Sequence, residues 1–166
     1  VDLRCALEQH HAASFGWALA CCGRDRVEAE DVLQASYLKV LEGRARFDGR
    51  SSVKTWLFGV IRRTAIEERR RRLLRLRVHE SQAAQAPLTI DRTDTDPIDD
   101  AQRLSALIAA LASLAPRQRE VLHLVFYQGL TIEDAAAVMH VSVGTARTHY
   151  ERGKHRMRAH LGREMP

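Results

Sequence analysis

The sequence predicts an all-α protein: two small helical domains joined by an acidic flexible linker, the second of them ending in a helix-turn-helix. Three observations carry this expectation. No alternation of apolar and polar residues is sustained, aromatics are only 5% of the chain, and Gly and Pro gather where helices would stop. Apolar residues recur instead at three- and four-residue steps over helix-length segments. Between Glu80 and Asp100 that periodicity collapses into Ser, Gln, Ala, Pro, Thr and Asp, as in a tether. The expected boundaries are 1–78, 79–101 and 102–166.

From the N-terminus, Leu3 to Cys22 reads as one helix, punctuated by Gly23-Arg24-Asp25. A second helix is predicted from about Val27 to Leu41, with Val32 or Leu33, Tyr37, and Val40 or Leu41 inward, and Gly43 ends it. Arg44 to Ser52 is a polar loop. From Val53 the pattern resumes through Trp56, Leu57, Val60, Ile61, Ala65 and Ile66 into the run Arg69 to Arg72, giving a long helix with a basic far end. Beyond the tether, helical pattern returns at Leu104, Leu107, Ile108 and Leu111. Ala115-Pro116 opens the next helix, because proline suits a first-turn position.

The last quarter is the most structured in its signals. Thr131-Ile132-Glu133-Asp134 is a capping box: the Thr131 hydroxyl can accept from the third backbone N–H, while Asp134 reaches back and favours the positive helix end. That helix carries Ile132, Ala135, Ala136 and Met139 inward, then meets the short turn His140-Val141 before Ser142 offers a second N-cap. In the final helix Ala146, Tyr150, Gly153, Met157 and Leu161 share one face. The opposite face presents Thr145, Arg147, Thr148, Arg152 and Arg156. A helix that reads duplex DNA needs this division, with side chains near its start reaching base edges and flanking cations neutralising phosphates. An amphipathic helix with a merely solvated basic face shows the same pattern. The two closely spaced capped helices, preceded by a third, favour the DNA reader.

Composition narrows the classes. With 45% hydrophobic residues in 166, the chain can build packed cores, and general disorder is excluded. The net charge of +5 suits nucleic acid but is modest. Its distribution is more informative. Cations cluster at Arg62-Arg63, Arg69 to Arg72, Arg75, Arg77, and Arg147 to Arg163, whereas Asp91, Asp94, Asp96, Asp99 and Asp100 crowd the middle. No apolar stretch approaches the length of a membrane span and no secretory signal pattern opens the chain, which begins at Val1 rather than Met as a trimmed chain would; a cytoplasmic location and no membrane insertion are expected. Cys5, Cys21 and Cys22 are an odd count with two adjacent, so they read as small buried apolar residues and not as a disulfide framework. His10 and His11 with Cys21 and Cys22 match no familiar zinc spacing, and neither metal nor cofactor is expected. Asp31, Glu67 and Glu68 could be conscripted as metal ligands of a nucleic-acid enzyme, yet no paired motif or nucleophile arrangement accompanies them.

The segment Arg46-Phe47-Asp48-Gly49-Arg50-Ser51-Ser52-Val53-Lys54-Thr55-Trp56-Leu57-Phe58 combines what single-stranded nucleic acid requires. Donors from Arg46, Arg50, Ser51 and Ser52 lie in a turn, Phe47 and Trp56 supply aromatic faces, and Arg62 and Arg63 follow on the helix. An extruded base could be held there. At this spacing Trp56 and Phe58 also fit a core face, and Phe58 is read as core.

These residues resemble the extracytoplasmic-function (ECF) sigma factors of bacterial RNA polymerase. The resemblance rests on Glu30-Asp31-Val32-Leu33-Gln34, on the Arg46 to Ser52 loop with Thr55-Trp56-Leu57-Phe58, on Pro116-Arg117-Gln118-Arg119-Glu120-Val121-Leu122, and on Ser142-Val143-Gly144-Thr145. The four segments are collinear with the family's two-domain plan. The resemblance implies a non-catalytic subunit that directs core polymerase to promoters. Asp31 and Gln34 would dock on the clamp coiled coil of the β′ subunit, and the second domain would meet the β flap. Arg46, Phe47, Asp48, Arg50, Ser51, Ser52, Trp56, Arg62 and Arg63 would bind the −10 element and trap a non-template base as the strands open. Ser142, Thr145, Arg147, Thr148 and Arg152 would read the −35 element in duplex DNA. The acidic linker would thread toward the active-site cleft as a strand mimic, and an anti-sigma factor is a further candidate partner.

The alternative is a stand-alone helix-turn-helix regulator with an N-terminal sensing or dimerising domain, which would bind duplex DNA tightly by itself. Three departures from the family pattern stand out. His140 occupies the turn position where glycine is common, Gly153 and Tyr150 stand where alanine and leucine are usual, and Val1 to Cys22 matches weakly. Glycine at 153 is expected to cost the helix about 1 kcal/mol.

Overall fold

The computed structural model describes the backbone of residues 2–79 and 107–164, with side chains to 76 and to 161. The expected linker 79–101 with its aspartates, and Leu104, lie outside these residues but for position 79. The described residues are helical without strands, and they belong to two compact units.

The first unit contains α1 (Leu3–Gln9), α2 (His11–Cys21), α3 (Arg26–Leu41) and α4 (Val53–His79). The single helix expected over Leu3 to Cys22 is divided at His10, whose φ of −100° and ψ of 8° leave the helical range. No glycine or proline marks the break. It lets Ala6 and Leu7 of α1 join the core on their own line, while α2 packs on both α3 and α4. Asp2 caps α1 by accepting from the Arg4 and Cys5 amides, and Asp25 caps α3 by accepting from Glu28.

The centre of this unit is Trp17. Its ring stacks on Phe58 at 6.0 Å, and its indole N–H donates to the Phe58 carbonyl at 3.0 Å. Both side chains are fully buried, so α2 is tied to α4 by packing and by a satisfied polar group together. Phe58 is core, as its spacing indicated. Val32, Leu33 and Val40 are buried as expected, whereas Leu41 and Ile66 face outward. Lys39 joins α3 to α4 by donating to Thr64 Oγ1 at 3.1 Å and to Glu67 Oε2 at 2.6 Å. Arg72 pairs with Glu28 at 3.0 Å nearer the far end of α4.

The second unit contains α5 (107–113), α6 (Pro116–Leu122), a π-helical turn (His123–Tyr127), α7 (Ile132–Met139) and α8 (Val143–Glu164). Pro116 is the first residue of α6, and the Ala115 amide donates to Gln118 Oε1 at 3.3 Å. Arg119 closes the end of α5: its guanidinium donates to the carbonyls of Leu111, Ala112 and Leu114 at 3.0, 3.2 and 3.2 Å. The Leu111 carbonyl also accepts from the Leu114 amide at 3.3 Å, and the cation at this carbonyl end complements the negative end of the helix dipole. Gly129, at φ 67°, turns the chain after the π-helical residues into α7.

Candidate functional site

Two surfaces, one in each unit, gather the sequence-predicted residues. In the second unit Thr131 caps α7 by accepting from the Asp134 amide at 3.0 Å, and its hydroxyl donates to the Asp134 carboxylate at 2.8 Å. His140 ends α7 in the left-handed conformation at φ 53°, ψ 48°, so it performs the turn that glycine commonly makes. Ser142 then accepts from the Thr145 amide at 3.1 Å and starts α8.

The helix buries Ala146 and Gly153 against α6 and α7 and leaves Tyr150, Met157 and Leu161 partly covered. Thr145, Arg147, Thr148, Arg152 and Arg156 are all exposed, the division expected from periodicity. The hydroxyls near its start are held in place: Ser142 Oγ and Thr145 Oγ1 are 2.8 Å apart, and Thr148 donates to the Gly144 carbonyl at 2.9 Å. Arg147 lies 3.7 Å from Glu133 on α7, an exposed pair that steers the guanidinium but adds little stability.

Gly153 has a reason to be glycine. A Cβ built there would meet Leu122 Cδ1 at 2.9 Å and Gln118 Cβ at 3.3 Å, so the missing side chain sets how closely α8 approaches α6. The intrinsic cost of glycine in the helix is offset by that packing.

In the first unit the loop after α3 is shaped by its own polar groups. Gly43 and Gly49 take positive φ, and Asp48 Oδ1 accepts from the Arg50 amide at 3.1 Å. Ser52 caps α4 by accepting from the Thr55 amide at 3.0 Å. Asp48 and Ser52 therefore fold the loop that presents Arg46 and Arg50, both exposed, and half-buried Ser51. Trp56 bridges loop and helix: its indole N–H donates to the Arg46 carbonyl at 3.1 Å, and its ring lies 5.4 Å from that of Phe47 at 58°. Both rings are only half buried, leaving an aromatic surface beside two cations.

The structure corrects the reading at Arg62, which is 6% exposed and belongs to the core side of α4. It follows Phe58 by four residues and Thr55 by seven, and both are buried. Arg63 follows Trp56 by seven and is exposed on the same face, about 10 Å along the axis.

On α3, Asp31 and Gln34 are exposed, and sequence reasoning missed their neighbours. Val27, Asp31, Gln34, Leu38 and Leu41 all face outward at steps of four, three, four and three, the seam spacing of a coiled coil. That spacing is legible in the sequence; of the two candidates for the inward position, Val40 or Leu41, Val40 takes it and Leu41 joins the seam. Phe126 and Tyr127 were also missed. Both are exposed on the π-helical turn, and Phe126 stacks on Tyr150 at 5.7 Å with Lys154 4.9 Å above the Tyr150 ring.

The cysteines form no disulfide with one another, and Cys5 is exposed while Cys21 and Cys22 are only partly covered, so they are not the buried apolar residues expected. Burial, followed by the nearby Glu28 and Asp25 carboxylates, pushes the Cys22 thiol up to about 12. Among the described residues no His, Cys, Asp or Glu cluster could hold a metal ion, and no helix is long and apolar enough to cross a membrane.

Comparison with known proteins places this geometry. Residues 6–74 match Sigma-70 region 2 and residues 104–157 match Sigma-70 region 4. The ECF RNA polymerase sigma factor SigX of Bacillus subtilis is 31% identical over 150 residues, spanning 83% of this chain and 73% of SigX. The chain belongs to the ECF sigma factors. RNA polymerase sigma factor CarQ of Myxococcus xanthus is 31% identical over 153 residues, 92% of this sigma factor and 85% of CarQ. In fold it is similar to the sigma factor RpoE of Bartonella quintana, solved with the anti-sigma factor NepR, at a TM-score of 0.76 and 24% identity over 97% of both chains. CnrH, solved with the cytosolic domain of CnrY, gives a TM-score of 0.62 and 21% identity over 95% of this chain and 85% of that one. The region 2 match starts at residue 6 and so takes in α2, where the sequence motifs were weak. With residues 6–74 matched to region 2, the alternative of a stand-alone regulator with an N-terminal sensing or dimerising domain is not favoured.

Proposed function

We propose that this sigma factor is a non-catalytic, cytoplasmic subunit that directs core RNA polymerase to promoters by a two-point hold on DNA. Residues 1–78 dock on polymerase and open the −10 element, 79–101 link, and 102–166 anchor the −35 element. The observation that carries this reading is the division of α8, with Ala146 and Gly153 buried and Thr145, Arg147, Thr148 and Arg152 exposed beyond the Ser142 cap. A helix held this way offers its first two turns to a major groove.

At the −10 element, Arg46, Arg50, Ser51 and Arg63 hold phosphates and base edges of the non-template strand, with Phe47 and Trp56 as the stacking surface. Asp48 and Ser52 fix the loop, and Arg62 is left out because it is buried. The seam through Asp31 and Gln34, extended by Val27, Leu38 and Leu41, suits the β′ clamp coiled coil, because apolar side chains at seam positions fill the holes of a facing helix. Exposed Phe126 and Tyr127 offer the second unit an apolar contact for the β flap. An anti-sigma factor is a candidate regulator, since RpoE and CnrH were each solved with a protein of their own.

Promoter binding with and without core polymerase tests the reading. Sequence-specific binding should require core polymerase, and Asp31→Ala with Gln34→Ala should abolish co-purification with it while leaving the helical content unchanged. Tight, specific binding to a palindromic duplex by the chain alone would refute it.

A further inference from the structure

Thr145 and Thr148 are both exposed near the start of α8, and with Gly144 they fall within roughly 100° of one another, on the face turned away from buried Ala146 and Gly153. Their hydroxyls are already engaged on the helix itself. Thr148 Oγ1 donates its proton to the Gly144 carbonyl at 2.9 Å. Thr145 Oγ1 faces the cap, 2.8 Å from Ser142 Oγ, which also accepts from the Thr145 amide at 3.1 Å. The other branch on each threonine Cβ is a methyl group, so methyls are what this exposed pair has left to offer a ligand. Gly144 keeps the face low beside them. A Cβ there would meet Ser142 Oγ at 3.9 Å, an ordinary contact, so packing within the protein does not require glycine at 144 as it does at 153.

We infer that Thr145 and Thr148 are specificity residues that read the C5-methyl groups of thymines in the upstream promoter element. The inference rests on the proposed placement of α8 in the major groove. Guanine, adenine and thymine all present acceptors there, and a hydroxyl whose proton is held by the Gly144 carbonyl cannot donate to them. The thymine methyl is the apolar group on those edges. Methyl against methyl removes apolar surface from water on both sides, whereas the amino group of cytosine or adenine set against a methyl loses water without gaining a partner. The two threonines are separated by about 4.5 Å along the helix axis. Stacked base pairs are separated by about 3.4 Å, so the two methyls suit thymines of neighbouring pairs. The Thr148 oxygen can still accept from a base amino group, and that competing contact has the opposite mutational signature.

The test uses holoenzyme assembled from the full chain and core polymerase, bound to a promoter duplex identified by sequencing its transcript starts. Each thymine of the upstream element is replaced in turn by deoxyuridine, which lacks only the C5-methyl. At two neighbouring base pairs the replacement should weaken binding by about three- to fivefold, the worth of one methyl group withdrawn from water. Thr148→Ser keeps the hydroxyl and removes the methyl, and should bind the thymine and uracil duplexes alike at one of these pairs. Thr148→Val keeps a methyl and removes the hydroxyl, and should preserve the difference. Thr145→Ser and Thr145→Val should divide in the same way at the other pair, with helical circular dichroism unchanged because both residues are exposed. Equal binding of thymine and uracil duplexes by the unaltered chain would overturn the inference, as would an upstream element without an A·T pair. So would a preference that Thr148→Ser keeps and Thr148→Val loses, the signature of an accepting hydroxyl. Sequence-specific binding indifferent to deoxyuridine defeats the methyl contact and leaves the placement of α8 standing. Binding unchanged by scrambling the upstream element defeats that placement, and the inference falls with it.

Discussion

A Cβ on Gly153 would stand 2.9 Å from Leu122 Cδ1 and 3.3 Å from Gln118 Cβ, so any side chain there must displace its α6 neighbours. Gly153→Ala therefore sets a helix-propensity gain of about 1 kcal/mol against overpacking of roughly 1–3 kcal/mol. The expected outcome is a net loss of about 1 kcal/mol in urea unfolding. Shortening the opposing residue with Leu122→Val should make the double variant more stable than the sum of the two single changes, a coupling that a double-mutant cycle measures.

His140 carries the left-handed turn between α7 and α8 at φ 53°. A β-branched residue adopts that conformation at considerable cost. His140→Val should lose roughly 1–3 kcal/mol of stability, whereas His140→Gly should keep the turn. If Val is tolerated within about 0.5 kcal/mol, the turn is not set by residue 140.

Arg147 and Glu133 are both exposed and 3.7 Å apart, so they contribute little to folding. Arg147→Ala should cost about 1–3 kcal/mol in binding the upstream element and relax its sequence preference at one base pair. Glu133→Ala should cost at most about 1 kcal/mol, from the lost charge in the first turn of α7, and strengthen DNA binding by removing a nearby negative charge. Uniform weakening of Arg147→Ala across all sequences would mark the contact as one to phosphate only.

Trp56 ties the loop to α4 through the Arg46 carbonyl and offers its ring beside Phe47. Loss of one stacking platform costs about 1–3 kcal/mol per base. Trp56→Ala should thus reduce open-complex formation on duplex promoters by about ten- to a hundredfold. A template already melted at the −10 element should recover part of the loss from easier opening, and Trp56→Phe should retain more activity than Trp56→Ala.

The Cys22 thiol, raised from 9.0 to about 12 mainly by burial, holds its proton at pH 8, where an unshifted thiol is already partly thiolate. Alkylation by iodoacetamide at pH 8 should therefore be at least about tenfold slower at Cys22 than at exposed Cys5. The sign for stability follows from the same shift. A raised folded-state value means the contribution is intact below pH 9 and is lost as pH climbs toward 12. Equal alkylation rates would show that Cys22 is not shielded.

Much of this was legible in the chain because local signals agreed. The Thr131 and Ser142 caps, the proline of α6 and the face division of α8 are all short-range patterns, and the fold follows them. Arg62 was misplaced because an arginine pair was read by residue type; its spacing from Thr55 and Phe58 already set it on the buried face. The break at His10 has no glycine or proline to announce it; it lies between α1, which packs on α3, and α2, which packs on both α3 and α4. Arg119 illustrates a tertiary role hidden inside a motif: it resembles a basic surface residue, yet its guanidinium closes the carbonyl end of α5. Leu38 and Leu41 look like core residues until the α3 face that buries Val32, Leu33 and Val40 is known.

The central claim is that one chain grips both promoter elements on behalf of polymerase. In vitro transcription with purified core polymerase and a genomic DNA pool, with sequencing of the transcript starts, tests it most directly. The account predicts discrete starts that require this chain, share upstream and −10 sequences, and disappear with Asp31→Ala and Gln34→Ala. Starts that are the same with and without the chain would contradict it.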